Sequence, residues 1–327
     1  SQAFTAYNTR IVTPPHGSML PTSPVRKNIF MVAFALGLLI PLVIIFMREN
    51  MNTRVRGRKD LENVTAPFIG EIPLFVRRKK GIFGKKPQEV KAVVVKEGSR
   101  DIINEAFRVL RTNLEFMTGK DNRSVILVTS FNPGSGKSFL TMNIAVSLAI
   151  KGKKVLVIDG DLRHGSASAY IDSPDKGLSD YLGGRIDNLN EIIVPDPKQK
   201  SMDIIPVGTI PPNPTELLFD ERLKQAIDTV REQYDYVLID CPPIELVADT
   251  QIIEKLADRT VFVIRSGLLE RSMLVELEKI YEEKKYKNMS LILNGTKGSG
   301  GRYGYRYGYH YGYGSGYHYG SDEKRVG

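Results

Sequence analysis

Residues 124–150 constrain this chain more than any other stretch. SVILVT (124–129), an apolar run rich in β-branched residues, leads into SFNPGSGKS and then into FLTMNIAVSLAI at helical spacing. A strand that stops at a glycine-rich loop and resumes as a helix is the local architecture of a phosphate-binding loop. In Pro133-Gly134-Ser135-Gly136-Lys137-Ser138 the glycines would let backbone N–H groups approach phosphate. Lys137 would reach the β- and γ-phosphates, Ser138 would hold Mg²⁺, and the helix N-terminus adds its positive pole. Phe131 stands where the full G-x-x-x-x-G-K-[ST] pattern has its first glycine, so the strand–helix context carries the reading.

The rest of the chain repeats the alternation. KVLVID (154–159), MDIIPV (202–207), YVLID (236–240), TVFVI (260–264) and MSLILN (289–294) are buried-strand candidates, with amphipathic helical stretches at 215–232, 248–257 and 270–285. Apolar runs alternating with helices predict an α/β fold, a mainly parallel sheet covered on both faces. VLVIDGDLR ends a strand with Asp159 and Asp161, and YVLIDCPP ends another with Asp240, where a Walker-B carboxylate would hold Mg²⁺ through water. A lone strand-end Asp is usually a cap or turn residue. Three of them following a phosphate loop indicate a nucleoside triphosphate site. Cys241, the single cysteine, excludes a disulfide framework or a cysteine zinc cluster and reads as a small buried residue. His164 reads as a loop residue.

Charge separates the ends from the middle. The net charge is +9, yet residues 101–300 carry 25 basic against 29 acidic side chains, whereas residues 48–100 carry 14 against 6. The basic character belongs to a linker, so no nucleic-acid partner is expected. Ile29 to Met47 is 19 residues without a charge, about 28 Å as a helix and so close to the ~30 Å hydrocarbon core. Only Arg26 and Lys27 lie within 15 residues upstream, against Arg48, Arg54, Arg56, Arg58 and Lys59 downstream. The positive-inside rule then puts everything after Met47 in the cytoplasm and leaves residues 1–28 as an outer stub. RRKKGIFGKK (77–86) is a second basic cluster, suited to anionic membrane lipids or to a solvated linker. Because the chain starts with Ser1, it is expected to be part of a longer protein. The expected segments are 1–28 stub, 29–47 transmembrane helix, 48–100 basic juxtamembrane linker, 101–298 nucleotide domain and 299–327 tail.

That tail is unusual: residues 303–319, YGYRYGYHYGYGSGYHY, hold eight tyrosines and no aliphatic residue. Such a segment cannot build a core. Alone it reads as a sticky, low-complexity tail or as a stacking surface for single-stranded nucleic acid. Beside a nucleotide site on a membrane chain, it reads as a multiple phosphate acceptor.

The order SFNPGSGKS, VLVIDGDLR, YVLIDCPP and C-terminal tyrosine cluster closely resembles the bacterial tyrosine kinases (BY-kinases) that control capsule and exopolysaccharide export, over essentially the whole chain. VTPPHGSMLPTSP resembles the approach to the second membrane helix of polysaccharide co-polymerases. The resemblance implies a P-loop NTPase fold of MinD/ParA type, ATP and Mg²⁺ as cofactors, and a cytoplasmic-membrane location. It also implies polysaccharide machinery and a tyrosine phosphatase as partners. Glu105, Arg108 and Arg111 match the helix that packs these kinases into a homo-oligomeric ring, although alone they read as a solvated face. Two departures stand out. MinD-type ATPases have a lysine at the position of Asn132, and proteobacterial kinases have a regulatory tyrosine at that of Ser166. For transfer of the ATP γ-phosphoryl to a tyrosine, Lys137, Asp159 and Asp161 are the expected catalytic residues, with Asp159 the candidate for taking the phenolic proton because a phenol is a poor nucleophile at neutral pH. Ser138, Asp161 and Asp240 surround Mg²⁺, and Asn294 lies at the adenine. The acceptors are Tyr303, Tyr305, Tyr307, Tyr309, Tyr311, Tyr313, Tyr317 and Tyr319. They lie 9–25 residues past Asn294, a reach of about 15–30 Å that suits a neighbouring subunit. A membrane-associated ATPase and a chain-length scaffold without kinase activity are the alternatives.

Overall fold

The computed structural model describes residues 25–50, 53–75, 93–119, 123–244 and 249–297. The chain divides into two units, Ser1–Thr53 and Arg54–Gly327. In the first, helix α1 (Arg26–Asn50) contains the apolar run and Pro41. Among the described residues it is the one helix long and apolar enough to cross a membrane.

The second unit is built on one sheet. Its strands are β1 (Phe68–Pro73), β2 (Ser124–Ser130), β3 (Val155–Asp159), β4 (Val194–Pro195), β5 (Met202–Ile205), β6 (Tyr236–Asp240), β7 (Arg259–Arg265) and β8 (Ser290–Thr296), in the order β1-β8-β7-β2-β6-β3-β5-β4. All neighbours pair parallel except β4 with β5. Every residue of β2, β3, β6 and β8 is buried, as continuous apolar runs require when both faces are covered. The strands expected from sequence end within two residues of these bounds.

Helices α2 (Ile102–Thr118) and α3 (Lys137–Ile150) lie over one face, where Phe107, Leu110, Leu140 and Ile144 share a core with Ile126, Val128 and Val157. On the other face, α4 (Leu178–Leu182), α6 (Glu221–Gln233) and α7 (Asp249–Glu254) pack on Val125, Leu156 and Ile239. The stretch expected as one helix over 215–232 is two, α5 (Pro214–Leu218) and α6, because the Asp220 side chain caps α6 by accepting from the Arg222 N–H at 2.8 Å. A third cluster joins α8 (Met273–Glu282) to β7 and β8.

The expected linker needs correction. Part of residues 48–100 belongs to the folded unit: β1 pairs with β8, and Val55, Leu61 and Ala66 enter the α8 core. Val94 and Val95 are pinned to α3, their N–H groups donating to Asn143 Oδ1 at 2.7 and 3.1 Å. The basic cluster at 77–86, the stub before residue 25 and the tail tyrosines lie outside the described residues.

Candidate active site

The loop after β2 turns sharply through Gly134 and Gly136, with φ of 74° and 86°, left-handed values that glycine adopts without strain. Its shape is held from inside. Ser135 Oγ donates to the Asn132 carbonyl at 2.8 Å, and Asn294 Nδ2, from β8, donates to the Ser135 carbonyl at 2.9 Å. A Cβ on Gly136 would overlap that Asn294 nitrogen. Lys137 and Ser138 follow as the first residues of α3, so unpaired N–H groups of the first helical turn and a cationic side chain converge where an anion would sit.

Asp159 and Asp240 end the adjacent strands β3 and β6, where they are direct partners, and Asp161 lies in the turn that follows β3. Asp159 is fully buried, and its Oδ2 accepts from Ser168 N at 2.7 Å and Ser168 Oγ at 2.6 Å. Asp240 is 1% exposed and hydrogen-bonded by Ser138. Asp159 Oδ1 and Asp240 Oδ1 are both buried with no hydrogen-bond partner. Burial pushes the Asp240 carboxyl above the usual range, the Asp159 charge adds to this, and Lys137 and Ser138 act in the opposite direction. Asp159 rises for the same first reason, opposed by Ser168. Paired carboxylates left short of positive charge in a buried site suit a cation. No cluster of three or more His, Cys, Asp or Glu side chains that could hold a metal exists among the described residues. The Ser138 hydroxyl and the buried carboxylates are oxygen donors of the kind that hold Mg²⁺ together with the phosphates it accompanies.

A cavity of about 210 Å³ opens over Gly134, Gly136, Lys137 and Ser138. Asn294 and Arg265 line it on the β7–β8 side, and Phe139, Ser166 and Tyr170 on the other. The Tyr170 hydroxyl is pushed above the usual phenol range, first by burial and then by the Asp240 charge.

Residues 123–291 match the family model of an AAA domain. The tyrosine-protein kinase etk of Escherichia coli (strain K12) is 30% identical over 301 residues, 88% of this chain and 41% of that protein. The tyrosine-protein kinase CpsD of Streptococcus agalactiae is 36% identical over 210 residues, 62% of this chain and 90% of that protein. This chain belongs to the bacterial tyrosine kinases. The solved kinase domain of Escherichia coli tyrosine kinase ETK superposes with a TM-score of 0.65 at 29% identity, over 80% of this chain and all of that domain. The chain spans about two-fifths of the length of the etk relative that it matches.

In this bacterial tyrosine kinase the cavity is also lined by residues that belong to no sequence motif. Pro73, Leu74 and Phe75, at the end of β1, form a wall of the cavity. Their signal was the short apolar alternation of FIGEIP, masked by its basic surroundings. Ser168 is recognisable only once the chain folds back to Asp159. Asn294, expected at the adenine, lines the cavity with its amide nitrogen committed to the phosphate loop. The three α2 residues are engaged within the chain: Arg108 pairs with Glu105 at 2.6 Å and bonds the Ser99 carbonyl, and Arg111 donates to the Ser147 carbonyl at 2.8 Å.

Proposed function

We propose that this chain is an ATP-dependent protein tyrosine autokinase that phosphorylates its C-terminal tyrosine cluster in trans within a homo-oligomer. The observation that carries this reading is the phosphate loop, with Lys137 at the first turn of α3 and the orphaned Oδ1 atoms of Asp159 and Asp240. In it, ATP binds along the loop, and Ser138, Asp161 and Asp240 hold Mg²⁺. The bound cation supplies charge neutralisation for phosphoryl transfer, which needs positioning and electrostatics more than covalent help. Lys137 and the loop N–H groups steady the transferring phosphoryl. The γ-phosphorus bonds the phenolic oxygen, its bond to the ADP oxygen breaks, and the phenolic proton passes to Asp159 Oδ1. A free phenol, with a pKa of about 10, is a poor nucleophile without such a base.

Glu105, Arg108 and Arg111 form the ring face that brings each tail to a neighbouring site. Each phosphotyrosine adds about −1.5 to −2 charges, so a fully modified tail loosens the ring by repulsion. Helix α1 crosses the cytoplasmic membrane with the kinase unit inside, and the basic residues after it meet anionic lipid. The product is a signal to capsule or exopolysaccharide machinery, erased by a tyrosine phosphatase.

The test is incubation of the purified full chain with Mg-ATP, read by intact mass and peptide mapping, with Lys137→Met as control. Several phosphates confined to residues 303–319 and absent from the control are expected. ATP consumed with no phosphate on the chain would overturn the reading and leave an ATPase.

A further inference from the structure

Arg163, Thr215 and Asp249 come from three separate stretches and close a three-way contact beside the nucleotide site. Arg163 Nε donates to Asp249 Oδ2 at 3.1 Å, Arg163 Nη2 donates to Thr215 Oγ1 at 3.0 Å, and the Thr215 hydroxyl donates to Asp249 Oδ1 at 2.6 Å. Both Asp249 oxygens are thereby used. Its side chain is 1% exposed and that of Arg163 is 35%. A carboxylate buried so deeply is costly without its cation, and the planar guanidinium fixes direction as well as charge.

The other end of Arg163 faces the chemistry. Its backbone N–H donates to Asp161 Oδ1 at 3.3 Å, and the same turn is closed by His164 and Gly165 N–H groups on the Asp161 carbonyl at 3.2 and 3.0 Å. Gly160 N–H in turn donates to the Asp240 carbonyl at 2.9 Å. On the far side, Asp249 opens α7, the helix that follows β6 and Asp240. Thr250, next to it, donates to the Pro242 carbonyl at 2.9 Å, as does Thr129 from β2. The turn carrying Asp161 is thus tied by one arginine to the element that continues from Asp240.

We propose that Arg163 is a positioning residue: through Asp249 and Thr215 it locks the Asp161 turn against the Asp240 side of the site. Asp161 is thereby held in the place from which it serves a divalent cation. The proposal rests on the reading of Asp161 as a Mg²⁺-holding carboxylate given above. A clamp that merely tied α5 and α7 to the sheet would affect stability and leave cation binding alone.

The discriminating measurement is Mg²⁺ titration of the full chain bound to a fluorescent, non-hydrolysable ATP analogue, alongside thermal unfolding without nucleotide. In Arg163→Gln and Asp249→Asn, the Mg²⁺ concentration for half-maximal binding should rise about tenfold or more. Affinity for the Mg²⁺-free analogue should stay within about twofold. The double variant should be no worse than the poorer single one, because the residues act as a unit. A lowered melting point with an unchanged Mg²⁺ midpoint would overturn the proposal. If either variant fails to fold, Thr215→Val, which removes one leg only, should still raise the midpoint two- to threefold, and no rise would overturn it equally. Asp161→Asn separates the premises. If it leaves the Mg²⁺ midpoint unchanged, the cation reading of Asp161 fails, whatever Arg163 does.

Discussion

At the scale of single residues, the site is governed by close approach and by missing partners. Gly136 combines a φ of 86° with a Cβ position already occupied by the Asn294 amide. Gly136→Ala therefore meets left-handed strain of roughly 1–2 kcal/mol and a clash that displaces the Asn294 brace on Ser135. Affinity for an ATP analogue, measured by titration calorimetry, should fall at least tenfold in this variant. Asp240 shows the opposite problem, a group that fits the site only when charge arrives. Its folded-state pKa is raised, chiefly by burial. The stability it leaves intact is full below the unfolded carboxylate value and is lost as pH rises through the folded one. Urea unfolding of the nucleotide-free protein should accordingly show stability falling between about pH 4 and neutrality. Asp240→Asn should flatten that slope while abolishing Mg²⁺-dependent nucleotide binding. A slope unchanged in the variant would assign the pH dependence to other groups.

At the scale of elements, β1 has consequences out of proportion to its six residues. It covers the edge of β8, buries Ile69 and Ile72, and ends in the cavity wall at Pro73, Leu74 and Phe75. Ile72 is fully buried, so Ile72→Ala should cost about 2–5 kcal/mol, as core truncations do. Chemical denaturation checks this, and a cost below about 1 kcal/mol would mean that β1 is frayed in solution. Element boundaries follow local chemistry where a cap decides them. Asp220 splits α5 from α6, and Asp101 starts α2 by accepting from the Asn104 N–H at 2.8 Å.

At the scale of the whole molecule, the sheet order sets which pieces can be removed. A chain cut to begin at residue 54 keeps β1 on β8 and should remain folded and monodisperse by light scattering. One cut to begin at residue 93 exposes the fully buried, apolar β8 as an edge, an open template for aggregation, and should associate. The sequence by itself determined the phosphate loop, the strand-end aspartates, the six core strands that flank them and the apolar helix, because each is written in neighbouring residues whose periodicity and loop chemistry are local. Tertiary structure alone decided that FIGEIP is a strand and not part of a linker, since its Gly and Pro weaken the local signal and its stability comes from pairing with a strand more than two hundred residues away. The same holds for Asn294 on Ser135 and the Arg163–Asp249–Thr215 clamp. Their partners are distant along the chain, and contacts between distant segments leave no pattern in a single sequence until the sheet has brought them together.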